Sequence, residues 1–357
     1  MMATANPELN FVELPLFEQL GSMGWELIEG SRTDPSVTER ADFQKTILEG
    51  RLKAAIRAIN DPDEDWLTDE KIDEVVRGIE NLNADSLMES NAVGTGWLQN
   101  GLIVDVGDAE ASDSRVVHLI DFEPGSEANS FVAVRQFRVE PVVESNDACE
   151  PDIVLFVNGL PIVVIECKRP DRSRMMRSAV NQLLRYQNLR EDDDPEAEGV
   201  PELFRFCQFT VGTTNYQARY GTVGTPASRY LEWRDTHPMT EVEALERLGA
   251  LERLGSEGPM SSQEILTFGM LMPTTLLDII DIPPPHRTAE AQPFRSRHRV
   301  THLFCCKGWL SPNHRRADGS MVYPSRPGQW RNTVVAGLDV PQRPVSSAPG
   351  DPCRNAG

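Results

Sequence analysis

The sequence has no apolar run approaching the ~20 residues that a membrane-spanning helix needs. Its N-terminus, "MMATANPELNFVEL", has neither the basic start nor the apolar centre of a secretory signal, so a cytoplasmic protein is expected. Cysteine is sparse. The six cysteines (149, 167, 207, 305, 306 and 353) show no CxxC spacing, which predicts reduced thiols rather than a paired-cysteine metal or redox motif. The vicinal pair Cys305–Cys306 is not expected to bind a metal. No GxxxxGK[ST] occurs, so a phosphate-binding loop of that kind is excluded. Positive charge is short: 35 Lys+Arg stand against 55 Asp+Glu, a formal net charge of −20. The deficit is uneven, because residues 282–357 carry 11 Lys+Arg and 4 Asp+Glu, a net +7 that leaves −27 on residues 1–281. A body that acidic is repelled by nucleic-acid phosphate unless a local patch or a partner compensates.

The 357 residues leave room for two domains on a prior of roughly 150 residues each. Apolar positions Phe43, Ile47, Leu48, Leu52, Ala55, Ile56 and Ile59 recur at helical spacing and predict an amphipathic helix over 42–59, closed by Asn60-Asp61-Pro62. Residues 68–82, "TDEKIDEVVRGIENL", repeat the pattern with Thr68 as N-cap. From residue 102 the texture becomes β-branched, and "GLIVDVGDA", "RVVHLIDF" and "NSFVAVRQFRVEPVV" read as strands. "DIVLFVNGLPIVVIECK" is a hairpin: two apolar runs flank Asn158-Gly159, a dipeptide suited to a type I′ turn. Both runs are nearly continuous in apolar character, so both faces are expected to be covered. "SAVNQLLRYQNL" (178–189) returns to helical spacing, and "LFRFCQFTVGTT" (203–214) predicts another core strand. Residues 191–201, "EDDDPEAEGVP", read as a solvated acidic loop. "EVEALERLGALERLG" (241–255) contains a tandem "ALERLG" and reads as one amphipathic helix. The whole predicts an α/β body with a mixed central sheet flanked by helices.

After Ile282 the chain becomes rich in Pro, Arg and His and loses apolar periodicity. Such a segment buries too little surface to offset chain entropy, so 282–357 is expected to be largely unstructured.

Chemistry concentrates at the hairpin. Residues i and i+2 of a strand share a face, so Glu166 and Lys168 point one way and Cys167 the other. Counting back from Asn158-Gly159 puts Asp152 near the same sheet end. Two carboxylates brought together repel unless a cation neutralises them or one holds a proton. A hard divalent ion such as Mg²⁺ takes oxygen ligands of this kind, here Asp152, Glu166 and the backbone carbonyl of Cys167. The ion would polarise a phosphate and acidify a water, and Lys168 would orient that water or stabilise transition-state charge. Gln182 and Tyr186 share a face of the next helix, placed either to steer a DNA backbone or to support the Lys168 amine. Glu49, in the first amphipathic helix, is either an additional acid for the site or an ordinary exposed helix residue. The Glu-x-Lys spacing alone better fits a buried structural ion pair. The order of the parts (Pro-Asp, hairpin, Glu-x-Lys, Gln-xxx-Tyr) is what favours a site.

These residues resemble a known family. "EPDIVLFVNGLPIVVIECKRPD" followed by "AVNQLLRYQ" is similar to the N-terminal nuclease domain of the type I restriction enzyme R subunit (HsdR). "NSFVAVRQFRVE", "LFRFCQFTVGTTNYQARYGT" and "YLEWRDT" extend the likeness, with weaker similarity from the first helix to "MLMPTTLLDIID", roughly residues 10–281. The resemblance implies a PD-(D/E)xK restriction-endonuclease-like core over 1–240. It implies a helical linker over 241–281, leading toward a motor that this sequence lacks. It maps Asp152, Glu166 and Lys168 onto the catalytic positions, and Gln182 and Tyr186 onto the QxxxY positions. It further implies a Mg²⁺-dependent DNA endonuclease whose partners are DNA and the modification and specificity subunits of a restriction complex. ATP serves the family's motor domains, and no ATP site is expected in this chain. A non-catalytic remnant that docks on partner subunits, and a stand-alone PD-(D/E)xK DNase, are the other readings.

The tail suits two expectations. Pro327-Gly328-Gln329-Trp330 must be encoded CCN GGN CAR TGG, which permits Gln-Gly-Ser-Gly when read from its second base. Residues after about 282 are then a decayed motor gene translated out of frame; the other expectation is a basic tail that binds nucleic acid.

Overall fold

The computed structural model describes residues 8–60, 66–82, 84–106, 114–141, 148–169, 174–189, 199–253 and 260–282. Its centre is a six-stranded mixed sheet. The strands are β1 (Glu26–Glu29), β4 (Phe131–Arg135), β5 (Ile153–Val157), β6 (Leu160–Cys167), β7 (Phe209–Thr213) and β8 (Ala218–Gly221), in that spatial order. A separate antiparallel pair, β2 (Leu102–Asp105) and β3 (Ser114–Val117), stands beside it. Pairing is antiparallel from β4 through β6, parallel between β1 and β4 and between β6 and β7, and antiparallel again at β8. The mixed sheet expected from the sequence is therefore present, flanked by helices on both faces.

The two runs around Asn158-Gly159 form the expected hairpin. Asn158 and Gly159 have φ of 53° and 78°, the pair of positive values that a type I′ turn requires. Every residue of β5 and β6 is buried, which explains their unbroken apolar character. The register shifts between Leu155 and Phe156, opposite Pro161. That irregularity lets a proline, which cannot donate to the ladder, sit in a central strand.

Alternation divides the core in two. Ile153, Leu155, Val157, Val163, Ile165 and Cys167 face a large cluster that takes in helices α1 (Leu14–Ser22), α2 (Glu49–Ile59) and α3 (Asp69–Glu80). Val154, Phe156 and Val164 face a smaller cluster under α5 (Met175–Tyr186). α3 starts as expected: the Lys71 N–H donates to Thr68 Oγ1, and Ile72, Val75, Val76 and Ile79 form its buried stripe. α2 is shorter than the periodicity suggests. It begins at Glu49 rather than near 42, because the Leu48 N–H donates to the Gly159 carbonyl at 2.9 Å and Leu48 packs into the smaller cluster. α4 (Leu87–Asn100) follows, ended by Gly101 at φ 76°.

Among the described residues after 240 are α6 (Glu241–Arg247), α7 (Ser262–Gly269) and α8 (Pro273–Ile280). From these helices Leu245, Leu266, Phe268, Leu276 and Ile280 enter the large cluster. The tandem "ALERLG" is not one helix. Gly249, at φ 64°, lets its own N–H donate to the Glu246 carbonyl and the Ala250 N–H to the Leu245 carbonyl, which stops α6 between the copies. The strand expected over 203–214 is confined to β7, and a 3-10 turn occupies Pro201–Phe204. The 191–201 loop lies mostly, and the 282–357 tail almost wholly, outside the described residues. Among the described residues no helix is long and apolar enough to cross a membrane.

Candidate active site

β5 and β6 bring Asp152, Glu166 and Lys168 to one end of the sheet. Asp152 stands immediately before β5 and accepts the Cys167 N–H on Oδ2 at 2.6 Å. Glu166 is 1% exposed. Its Oε1 accepts from Lys168 Nζ at 2.5 Å, while its Oε2 is buried with no hydrogen-bond partner. Cys167 points into the large core, away from the two charged neighbours, as alternation requires.

The electrostatics follow from burial. Desolvation, then the charge of Glu13, pushes the Asp152 carboxyl up to about 7, against the opposing Cys167 N–H. Desolvation and the adjacent Asp152 drive Glu166 well above the usual carboxylate range. Burial pulls the Lys168 ammonium down, but Glu166 outweighs it and the group is held above its ordinary value. Two carboxyls and one ammonium thus share a site that resists full ionisation.

Tyr186 is buried on α5. Gln182 Nε2 donates to its hydroxyl at 2.6 Å, and that hydroxyl donates on to the Glu150 carbonyl at 3.4 Å. The pair therefore steadies the approach to Asp152 rather than reaching the Lys168 amine. Glu49 is not brought to the site. It opens α2 beside the Gly159 turn, at the other end of the hairpin, where it pairs with Lys53 at 2.7 Å.

Two further acids join from the N-terminal segment. Leu9–Glu13 is a π-helical turn in which the Leu14 N–H donates to the Leu9 carbonyl. Turns of this width put residues five apart on nearly one side, an alignment that α-helical periodicity does not test. Glu8 and Glu13 are such a pair. Glu8 Oε1 lies 3.9 Å from Lys168 Nζ, and its Oε2 accepts the Arg169 N–H at 3.1 Å. Glu13 Oε1 accepts from Arg135 Nη1 at 2.9 Å and Gln136 Nε2 at 2.7 Å. The Gln136 amide also lies 3.3 Å from Asp152 Oδ1, so it bridges the two acids, from a backbone held at φ 53°.

A divalent ion fits this donor set. Among the described residues no three His, Cys, Asp or Glu side chains group to hold a metal by themselves. Two carboxylates, one with an orphaned buried oxygen, and a nearby carbonyl suit an ion that retains several waters, as Mg²⁺ does.

Comparison with known proteins decides the family. A model described as "Type I restriction enzyme R protein N terminus" matches residues 8–229. The chain belongs to that family. Its match spans β1 through β8, so the hairpin, α5 and the acidic π-turn are all family territory. Among R-protein relatives, the putative type I restriction enzyme MjaIXP endonuclease subunit of Methanocaldococcus jannaschii is 26% identical over 272 residues, 76% of this chain and 25% of the relative. The type I restriction enzyme HindI endonuclease subunit of Haemophilus influenzae is 28% identical over 276 residues, 76% of this chain and 23% of the relative. The chain thus spans about a quarter of the length of the R-protein relatives it matches.

Proposed function

We propose that this chain is the Mg²⁺-dependent endonuclease domain of a type I restriction system and hydrolyses DNA phosphodiester bonds in the cytoplasm. The observation that carries the reading is the buried Glu166 oxygen without a partner, beside Asp152 and Lys168 in a chain of this family. Asp152, Glu166 and the Cys167 carbonyl would hold the ion. What it supplies is positive charge, which draws electron density from a phosphodiester and makes water easier to deprotonate.

The protein's own groups do the rest. Lys168, fixed by Glu166, presents an ammonium where a phosphate gathers charge during attack. Tyr186 and Gln182 hold the Glu150 carbonyl, and Gln136 links Asp152 to Glu13, so the Asp152 carboxyl keeps one orientation. Water adds across one P–O bond, leaving a hydroxyl on one fragment and a phosphate monoester on the other. The −27 charge of residues 1–281 favours delivery of DNA by the modification and specificity subunits.

Incubating the full chain with plasmid DNA and Mg²⁺, alone and with those subunits, tests the proposal. Nicked or linear DNA in Mg²⁺, absent with chelator, is expected and strongest in the mixture. Intact plasmid under both conditions contradicts it and favours the non-catalytic reading.

A further inference from the structure

The turn between β7 and β8 lies at the same sheet end as the acidic cluster. β6 and β7 run parallel with Glu166 beside Gly212 and Cys167 beside Thr213, and the Lys168 N–H donates to the Thr213 carbonyl at 2.8 Å. Residues 214–217 then reverse the chain. The Thr214 N–H donates to the Gln217 carbonyl at 2.8 Å, and the Gln217 N–H to Thr214 Oγ1 at 3.2 Å. From outside the turn, the Ser262 N–H donates to the Tyr216 carbonyl at 3.2 Å, and Ser262 Oγ accepts the Ala218 N–H at 2.7 Å. The backbone is fixed from two sides, yet Tyr216 is 68% exposed. A large aromatic thus stands in water on a backbone that its neighbours hold in place. Strand spacing and the reach of three residues put it within roughly 10–15 Å of Lys168.

Positive charge flanks the same place. Paired residues of neighbouring strands share a face, so Glu166, Gly212 and Arg219 lie on the α5 side of the sheet. Arg219 is exposed there, and so are Arg174 and Arg177 at the start of α5. An exposed π-face on a fixed backbone, beside separated cations, is what an unpaired nucleic-acid strand requires: stacking for a base and charge for its phosphates.

We infer that Tyr216 stacks on an unpaired base of the strand whose phosphate lies at Asp152 and Glu166, while Arg219 meets a neighbouring phosphate. The inference rests on the nuclease reading and adds a substrate preference. Bases are free to stack in single-stranded or frayed DNA and are not free in closed duplex, so the site takes an opened strand.

The test is binding of the full chain, with Ca²⁺ replacing Mg²⁺, to a short single-stranded DNA carrying 2-aminopurine. Tyr216→Ala is expected to weaken binding about tenfold and to abolish the stacking change in 2-aminopurine fluorescence, with an unchanged salt slope and melting temperature. Tyr216→Phe is expected to retain both, because it keeps the ring. Arg219→Ala is expected to lower the salt slope by about one. Wild-type affinity in Tyr216→Ala, or loss in Tyr216→Phe equal to that in Tyr216→Ala, overturns the inference and leaves the nuclease reading standing. If the wild-type chain binds no DNA, with or without the partner subunits, both fail.

Discussion

Exchanging Glu166 for glutamine removes DNA cleavage by at least about a thousandfold, and in the metal-free protein it raises the melting temperature. The first effect follows from ligand chemistry: a charged oxygen donor is lost at a site asked to supply several kcal/mol of charge stabilisation. The second follows from the crowding of acids. Asp152, Glu166, Glu8 and Glu13 surround two cations, Lys168 and Arg135. Glu166 is almost fully buried, and its second oxygen has no partner. A neutral amide of the same shape escapes both the desolvation and the repulsion from Asp152. Single-turnover cleavage beside thermal unfolding in chelator checks the pair of effects. A variant that cuts as wild type, or that melts lower without metal, contradicts this view of the site.

The metal-free fold loses stability as pH rises from about 4 to 7. Asp152 is raised from 3.8 to about 7, chiefly by burial, so in this window the folded chain keeps a proton that the unfolded chain has released. The native state then binds more protons, and unfolding free energy falls with pH. The stabilising contribution of that proton is complete below 3.8 and gone once pH passes the folded value near 7. One shift of this size corresponds to a loss on the order of 4 kcal/mol. Glu166 is raised for the same reason and acts in the same direction. A divalent ion held by these oxygens would compete with those protons and flatten the decline. Denaturant unfolding across this range, wild type beside Asp152→Asn, isolates the effect: the variant should overtake wild type as pH rises. Parallel curves would contradict it.

How much of this was legible in the sequence depends on how local each signal is. The hairpin was readable because Asn158-Gly159 names its own turn and the strand period is short. From that turn, counting alone placed Asp152, Glu166 and Lys168 at one end. Glu49 had two readings because helical periodicity says nothing about which end of the hairpin a helix meets; the bond from Leu48 to Gly159 decides for the ordinary helix residue. Glu8 and Glu13 were illegible because they align only through a π-helical turn. α4 gave no apolar stripe to read. Its Gly94 is there because a Cβ would come within 2.4 Å of the Arg205 carbonyl, a contact with a residue far along the chain. The split of "ALERLG" was readable in principle, since glycine after an amphipathic turn is a common helix stop.

The chemistry proposed here depends on Asp152 and Glu166 building a metal site. Calorimetric titration of the full chain with Mn²⁺, which binds such oxygen donors in place of Mg²⁺ and usually more tightly, tests it most directly. A saturable site is expected in the wild type, abolished by Asp152→Asn and by Glu166→Gln while both variants stay folded. Binding that survives both substitutions, or no binding by the folded wild type even with DNA present, would contradict it.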